Sequence, residues 1–143
     1  MEHLDKFKTA QEFIDYHNEV SLHFKVRPST PRSVNKDLLL DMVQENYNPS
    51  HVNTLRFLSE TVCCYSYWVG TMDNLENNLG LSERSVQRTL KALEEAGSLR
   101  VVHKPYNGEG YIVIQVAPWY CWRGFELFRE SHTEVFLKMV ANK

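Results

Sequence analysis

The sequence lacks the features of an exported, membrane-spanning or metal-binding protein. No run approaches the roughly 18 to 20 apolar residues that a membrane span needs, and the start, MEHLDKFKTAQEF, has no apolar stretch of the kind found in signal peptides. There are only three cysteines, at positions 63, 64 and 121, and their spacing fits neither a zinc motif nor a disulfide framework. We therefore expect buried, reduced cysteines, no metal, no cofactor and a cytoplasmic protein.

A strong excess of either charge is also missing. The 143 residues carry a net charge of −2, which does not by itself suggest a partner of opposite charge. The basic residues are nevertheless concentrated in two segments. Residues 82–104 contain five basic and three acidic residues, and residues 25–36 contain four basic residues and no acidic residue. The six glycines lie at expected element boundaries and form no phosphate-binding loop. We also do not expect an enzyme.

Hydrophobic periodicity in the first half of the chain predicts three helices. The first spans about 10–24, behind a capping box made by Thr9 and Glu12. Pro28 and Pro31 forbid regular structure in the basic loop 25–36, and a second helix follows over about 35–47. A third helix over about 51–67 begins after Asn48-Pro49-Ser50. Its inward-facing residues are Val52, Leu55, Leu58, Val62 and Tyr65.

Turn-forming residues divide the chain from Gly70 onward into short elements. Thr71 is a favoured cap for a short helix whose inward residues are Leu75 and Leu79. Gly80 supplies the positive φ that a tight turn requires. We therefore expect a short helix that ends in a sharp turn.

A longer helix and a β-hairpin follow that turn. Ser82 is a favoured cap for the helix, which continues to about Ala96 and ends at Gly97. The segments SLRVVH and YIVIQV alternate as strands, and Asn107-Gly108 lies in the turn between them.

The longer helix has two chemically different faces. At 100° per residue, its apolar residues point in nearly one direction: Val86, Leu90 and Leu93. Its basic residues centre about 180° away: Arg84, Arg88 and Lys91. If the apolar stripe packs on the short helix, the basic residues project away from the protein. Two helices joined by a tight turn and followed by a hairpin form a winged helix-turn-helix, whose second helix lies in the DNA major groove.

The residue types on these elements suit contacts with double-stranded DNA. Arginine can donate two hydrogen bonds to guanine and glutamine can bond adenine in a similar way. The candidates for base contacts are Arg84, Ser85, Gln87 and Arg88. Helix starts and simple charges suit phosphate oxygens, and the candidates there are Thr71, Ser82, Lys91, Arg100 and Lys104. The basic loop is either an arm that enters a minor groove or a solvated loop; its cations are Lys25, Arg27, Arg32 and Lys36.

The stretch LGLSERSVQRTLKALEEAG resembles the winged helix-turn-helix proteins of the MarR and GntR type. Those proteins have a leucine-bearing helix, then Leu-Gly-Leu-Ser, then Val-x-Arg-x-Leu-x-x-Leu-Glu-x-x-Gly. The resemblance covers about residues 68–116, and Asn77 or Asn78 stands where those proteins have alanine. More weakly, QVAPWYCWRG resembles the ending of plasmid replication initiators of the RepL type. These resemblances imply DNA binding inside a bacterial cell or a phage-infected cell.

We expect a mainly α fold with a small β-hairpin, in one compact domain. Residues 1–67 form a helical extension, 68–117 the winged helix-turn-helix and 118–143 a C-terminal helix. The predicted function is sequence-specific binding of double-stranded DNA, as a transcriptional regulator or as a plasmid or phage replication initiator. The alternative is a winged-helix module that docks on a polymerase or replication partner. The net negative charge favours that alternative.

Two further expectations concern the residues after the hairpin. Trp119, Tyr120 and Trp122 either pack back on the domain or stack on the bases of single strands. The C-terminal segment has more apolar residues than a terminal helix needs: Leu127, Phe128, Val135, Phe136, Met139 and Val140. We therefore expect a homodimer held mainly by the terminal helices.

Overall fold

Five helices and two small antiparallel sheets make up the part of the chain that the computed structural model describes, residues 12, 15, 26, 29–103, 111–124 and 126–141. The helices are α1 (Lys36–Gln44), α2 (Pro49–Glu60), α3 (Met72–Leu79), α4 (Glu83–Glu95) and α5 (Leu127–Ala141). The strands are β1 (Ser33–Val34), β2 (Tyr67–Thr71), β3 (Leu99–His103), β4 (Tyr111–Val116) and β5 (Cys121–Trp122). The predicted helix over 10–24 lies outside the described residues, except for Glu12 and Asp15, which are helical.

Side-chain caps and one glycine define the two central helices. The hydroxyl of Thr71 accepts the amide of Asn74 at 3.1 Å, and the side chain of Asn74 accepts the amide of Thr71 at 3.0 Å. Gly80 ends α3 with φ of 65°, a conformation that side chains with a Cβ rarely adopt. The hydroxyl of Ser82 then accepts the amide of Ser85 at 3.2 Å and begins α4. The predicted caps and turn are confirmed.

Strand β2 shows that the predicted helix over 51–67 was too long. Helix α2 ends at Glu60, where the hydroxyl of the C-cap Thr61 donates to the carbonyl of Phe57 at 2.6 Å. Tyr65 has φ of 54°, which a right-handed helix cannot contain. Residues 62–69 are all buried, and almost all of them are β-branched, aromatic or sulfur-containing. Hydrophobic periodicity therefore could not distinguish a buried strand from a buried helix in this run.

The three-stranded sheet has the order β2-β4-β3. In its register Arg100 of β3 and Tyr67 of β2 both pair with Gln115 of the central strand β4. The two predicted strands of the hairpin are confirmed, and the turn at Asn107-Gly108 lies outside the described residues. With α3 and α4, this hairpin forms a winged helix-turn-helix. The expected fold class, mainly α with a small sheet, is thus confirmed.

One buried cluster joins all parts of the described chain. It contains Leu55 from α2, Leu75 from α3, Leu90 from α4 and Ile114 from β4. Phe136 of α5 belongs to the same cluster and is fully buried. The segments 1–67, 68–117 and 118–143 therefore all contribute residues to a single core. A second cluster covers the other face of the sheet and includes Cys63, Tyr67, Val113 and Trp122.

The small sheet places the basic loop beside the aromatic segment. Ser33 pairs with Trp122 and Val34 with Cys121, so regular structure reaches into the loop that was expected to have none. The amide of Asn35 also donates to the carbonyl of Tyr120 at 2.8 Å. These contacts hold the aromatic segment against the protein rather than in solvent.

Burial decides between the two interpretations of the aromatic residues. Trp122 is 1% exposed and Tyr120 is 7% exposed. Trp119 is half-buried, with its ring centroid 5.4 Å from that of Phe136. The rings pack on the domain, so the packing interpretation is confirmed and a stacking platform for single-stranded bases is not formed by Tyr120 or Trp122. The three cysteines are buried free thiols, as expected.

Candidate nucleic-acid interface

Helix α4 is amphipathic in the orientation that the sequence predicted. Val86 is fully buried, Leu90 is 6% exposed and Leu93 is 3% exposed. The opposite face is solvent-exposed and carries the predicted cations Arg84, Arg88 and Lys91, together with Gln87. Because α4 packs on the core through its apolar stripe, the cations point outward from the protein.

The exposed cations of α4 have no charged partner within the described residues. The ion pairs there join Arg56 to Glu60 and Arg129 to Glu126, and neither involves α4. Two acidic residues of α4 are engaged elsewhere. The side chain of Glu83 accepts from Gln87 at 3.4 Å, and that of Glu94 accepts the backbone amide of Val101 at 2.7 Å. The positive charge of this face is therefore available to an anionic partner.

Hydroxyl groups at the two helix starts are already bonded to the protein. Thr71 caps α3, and Ser82 caps α4 while also lying 3.1 Å from the hydroxyl of Ser85. Each hydroxyl oxygen accepts an amide of its own helix. Ser82 is exposed and Thr71 is half-buried. Their expected contacts with phosphate remain predictions.

Arg100 does not join the other candidate residues. Successive strand residues face opposite sides of a sheet, and Leu99 and Val101 face the cluster that contains α4. Arg100 thus lies on the far side, where its Nε donates to the side-chain oxygen of Gln115 at 2.6 Å and its side chain hydrogen-bonds Tyr67. This placement removes Arg100 from the surface formed by α4. Lys104 lies outside the described residues.

The described part of the basic loop is likewise tied to the protein. The Nε of Arg32 donates to the carbonyl of Val62 at 2.7 Å, and Lys36 begins α1. Neither residue extends from the protein as a free arm. Lys25 and Arg27 lie outside the described residues.

A groove of about 440 Å³ separates α4 from the hairpin. Its apolar floor contains Leu90, Val101 and Ile112, and its rim contains Lys91 and Glu94. The hydrogen bond from the backbone amide of Val101 to the side chain of Glu94 joins β3 to α4 beside this groove. This contact of Glu94 could not be predicted from the sequence, because the bond depends on how the hairpin packs against α4.

The described residues give no sign of a metal site or a membrane span. No group of three or more potential metal ligands occurs among them. No helix in that part of the chain is long and apolar enough to cross a bilayer.

Comparisons with known proteins find similarity only at the level of three-dimensional structure. No model of a known protein family matches the chain, and no curated protein matches it. The structure of NadR in complex with 4-hydroxyphenylacetate is 18% identical, with a TM-score of 0.40 over 75% of this chain and 68% of that one. A possible transcriptional regulator from Methanosarcina mazei Go1 is also 18% identical, with a TM-score of 0.38 over 75% of this chain and 80% of its own. Similarity this distant does not establish a function.

Proposed function

We propose that this protein binds double-stranded DNA in a sequence-specific manner, as a cytoplasmic homodimer. The observation that carries the proposal is the outer face of α4, where Arg84, Arg88 and Lys91 are exposed and have no ion pair within the described residues. They lie opposite the buried stripe of the second helix of a winged helix-turn-helix. In that fold the second helix enters the major groove.

Each candidate residue has a contact that suits its chemistry. Arg84 and Arg88 can each donate two hydrogen bonds to guanine, and Gln87 can bond adenine. Ser85, near the start of α4, suits a base edge or a nearby phosphate. The charge of Lys91 suits a phosphate oxygen, and Thr71 and Ser82 are placed at helix starts, where amide groups favour anions.

The wing is proposed to contact the backbone beside the major groove. Lys104 directly follows β3 in the sequence and would supply a phosphate contact from the hairpin. Arg100 is left out of the proposed surface because it bonds Gln115 on the opposite face of the sheet. Such a protein could control transcription or initiate replication of a plasmid or phage, because both begin with the same groove contact.

The competing proposal is docking on a polymerase or replication partner. It is supported by the net charge of −2 and by apolar side chains exposed on α1 and α5. The two proposals differ in their response to salt. Each phosphate contact contributes about −0.9 to the slope of log affinity against log salt concentration, whereas apolar docking has little salt dependence.

Variants of Arg88 test the base contact most directly. The change Arg88→Ala should reduce affinity for the preferred duplex by about 1 to 3 kcal/mol and leave folding stability nearly unchanged. The matched variant Arg88→Lys keeps the charge but loses the paired donors. If Arg88 contacts guanine, both variants lose specific affinity in a fluorescence-anisotropy titration. Full affinity in both folded variants would show that α4 does not contact the groove through Arg88.

A further inference from the structure

Two adjacent carboxylates near the end of α4 have different surroundings. A side-chain oxygen of Glu94 accepts the backbone amide of Val101, the central residue of β3, at 2.7 Å. Glu94 is half-buried. Its neighbour Glu95 is exposed and has no ion pair within the described residues. Of these two acidic residues, Glu94 is therefore the one that joins α4 to the hairpin.

The bond lies at an edge of the three-stranded sheet. Strand β3 is the outer strand of the order β2-β4-β3, so β4 is its neighbour on one side only. Backbone amides on the outer edge of such a strand have no neighbouring strand to bond. The amide of Val101 donates instead to Glu94. A bond to a carboxylate is charge-assisted and stronger than one to a neutral oxygen, so it suits a single attachment point.

The attached residue directly precedes an irregularity in β3. Val101 pairs with Ile114, but the next pair joins His103 to Val113, so β3 has one residue more than β4 at this point. A bulge of this kind bends the strand and increases its twist. Glu94 therefore holds β3 at the last regular pair before the strand changes direction.

Apolar packing between α4 and the hairpin is incomplete at the same place. Leu99 at the start of β3 is fully buried in the core. Beyond it, a groove of about 440 Å³ lies between the two elements, with Leu90 and Val101 on its floor and Glu94 on its rim. Atoms that border an open space lack contacts on that side. The bond to Glu94 therefore supplies an attachment where close packing ends.

The hairpin residue proposed to contact phosphate follows soon afterwards. Lys104 lies three residues after Val101 in the sequence, and three extended residues span at most about 10 Å. A shift of β3 at Val101 therefore changes where the charge of Lys104 can reach. The distance between α4 and β3 sets whether both elements can contact one duplex together.

We propose that Glu94 is a positioning residue, which holds the hairpin relative to α4 so that both elements contact DNA at once. Glu94 acts through Val101 and not by touching the duplex, because a carboxylate is repelled by phosphate. The proposal rests on the proposed function and adds a residue that determines the wing contact. Loss of the bond should remove a phosphate contact and leave base preference, which belongs to α4, intact.

Salt titrations of three variants test this role. Glu94→Ala removes the charge and the acceptor, Glu94→Gln removes the charge but keeps an acceptor oxygen, and Glu95→Ala removes a neighbouring charge alone. In Glu94→Ala the magnitude of the salt slope should fall by about one, so that duplex affinity is lost by about tenfold at 50 mM salt and about threefold at 200 mM. Fluorescence anisotropy with the preferred and an unrelated duplex should show the same loss for both. The Gln variant and Glu95→Ala should keep the wild-type slope.

A double variant tests whether Glu94 acts through the wing. If it does, Lys104→Ala should have little further effect in a chain that already carries Glu94→Ala. The double variant should then bind within about twofold of Glu94→Ala alone, whereas independent effects would multiply. Multiplied losses would overturn the proposal.

Amide hydrogen exchange measures the attachment without DNA. The amide of Val101 should exchange at least about tenfold faster in Glu94→Ala than in the wild type or in Glu94→Gln, because its acceptor is gone. The amide of Leu90 should be unchanged, which shows that α4 remains folded. If Glu94→Ala fails to fold, Glu94→Met keeps a long side chain without an oxygen and should give the same results. Equal protection of Val101 in the wild type and the variant without an acceptor would refute the attachment.

Failure of this role is distinguishable from failure of the proposed function. A wild-type protein whose duplex affinity depends on Arg88, together with an unchanged salt slope in Glu94→Ala, would refute the role of Glu94 alone. A folded wild-type protein with no affinity for any duplex would refute the proposed function and this role with it.

Discussion

The substitution Leu90→Ala should destabilise the fold by about 3 kcal/mol. Leu90 is 6% exposed and lies in the core cluster with Leu75 of α3 and Ile114 of β4. Removing its buried methyl and methylene groups loses roughly 0.8 kcal/mol for each carbon. The remaining cavity raises the usual range to about 2 to 5 kcal/mol. Because Leu90 also lines the open groove beside the hairpin, water can enter the space, and the cost should fall in the lower half of that range.

Urea denaturation followed by circular dichroism measures this effect, with Arg88→Ala as the matched control. Both residues lie on α4, two positions apart, but Arg88 is exposed and its removal should cost less than about 0.5 kcal/mol. For a chain of 143 residues, the loss at Leu90 corresponds to a decrease of about 10 °C in Tm. If Arg88→Ala destabilised the protein more than Leu90→Ala, the orientation of α4 would be wrong.

Three further predictions concern the turn, the buried thiols and the wing. Gly80→Val should lower the free energy of unfolding by about 1 to 2 kcal/mol through backbone strain alone, because φ is 65° and no neighbouring atom lies within 4 Å of an added Cβ. A thermal melt measures this loss, and Gly80→Asn should lose less stability. Equal losses in the two variants would point to a steric cause. Burial raises the pKa of the Cys121 thiol from an ordinary value near 9 to about 12. The neutral thiol therefore makes its full contribution to the free energy of unfolding below pH 9. That stability is lost as the pH rises towards 12, by about 1.4 kcal/mol per pH unit; Cys121→Ala should show a shallower alkaline decline in urea titrations, and an identical decline would refute this cause. Lys104→Ala should weaken all duplexes similarly and reduce the magnitude of the salt slope by about one; a loss confined to one duplex would reject a phosphate contact.

The helix-turn-helix could be predicted from sequence because its signals are local. Thr71 and Ser82 accept amides of their own first helical turns, and Gly80 needs a positive φ that glycine adopts easily. The two faces of α4 follow from helical periodicity, and Val86 is fully buried as that periodicity requires. Such features depend on residues within a few positions of each other, so they can be predicted from a single sequence.

Other features depend on contacts between distant segments and could not be predicted in this way. Strand β2 was missed because its residues are buried on both sides, between two clusters of the core. The pairing of β1 with β5 joins residues almost 90 positions apart. Arg100 was assigned to phosphate from its charge, but its bond to Gln115 follows from the register of β3 against β4. Charge and propensity alone do not give strand register.

The candidate site was therefore only partly predictable. The exposed cations of α4 were identified correctly as an outward-facing set, since their direction follows from the helix alone. The link between Glu94 and Val101 required the packing of the hairpin on α4. Which apolar residues remain exposed, such as Val43, depends on how the helices pack and could not be predicted from the helical pattern.

Enrichment of bound duplexes from a random library, carried out in parallel with the wild-type protein and Arg88→Ala, tests the central claim most directly. The wild-type protein should recover one motif with two-fold symmetry, whose half-sites lie about one helical turn apart. The variant, which keeps the fold, should recover the same motif with relaxed preference at one base pair in each half-site. Recovery of no motif by the wild-type protein, or of an identical motif by both proteins, would contradict the assignment of α4 as the helix that recognises DNA.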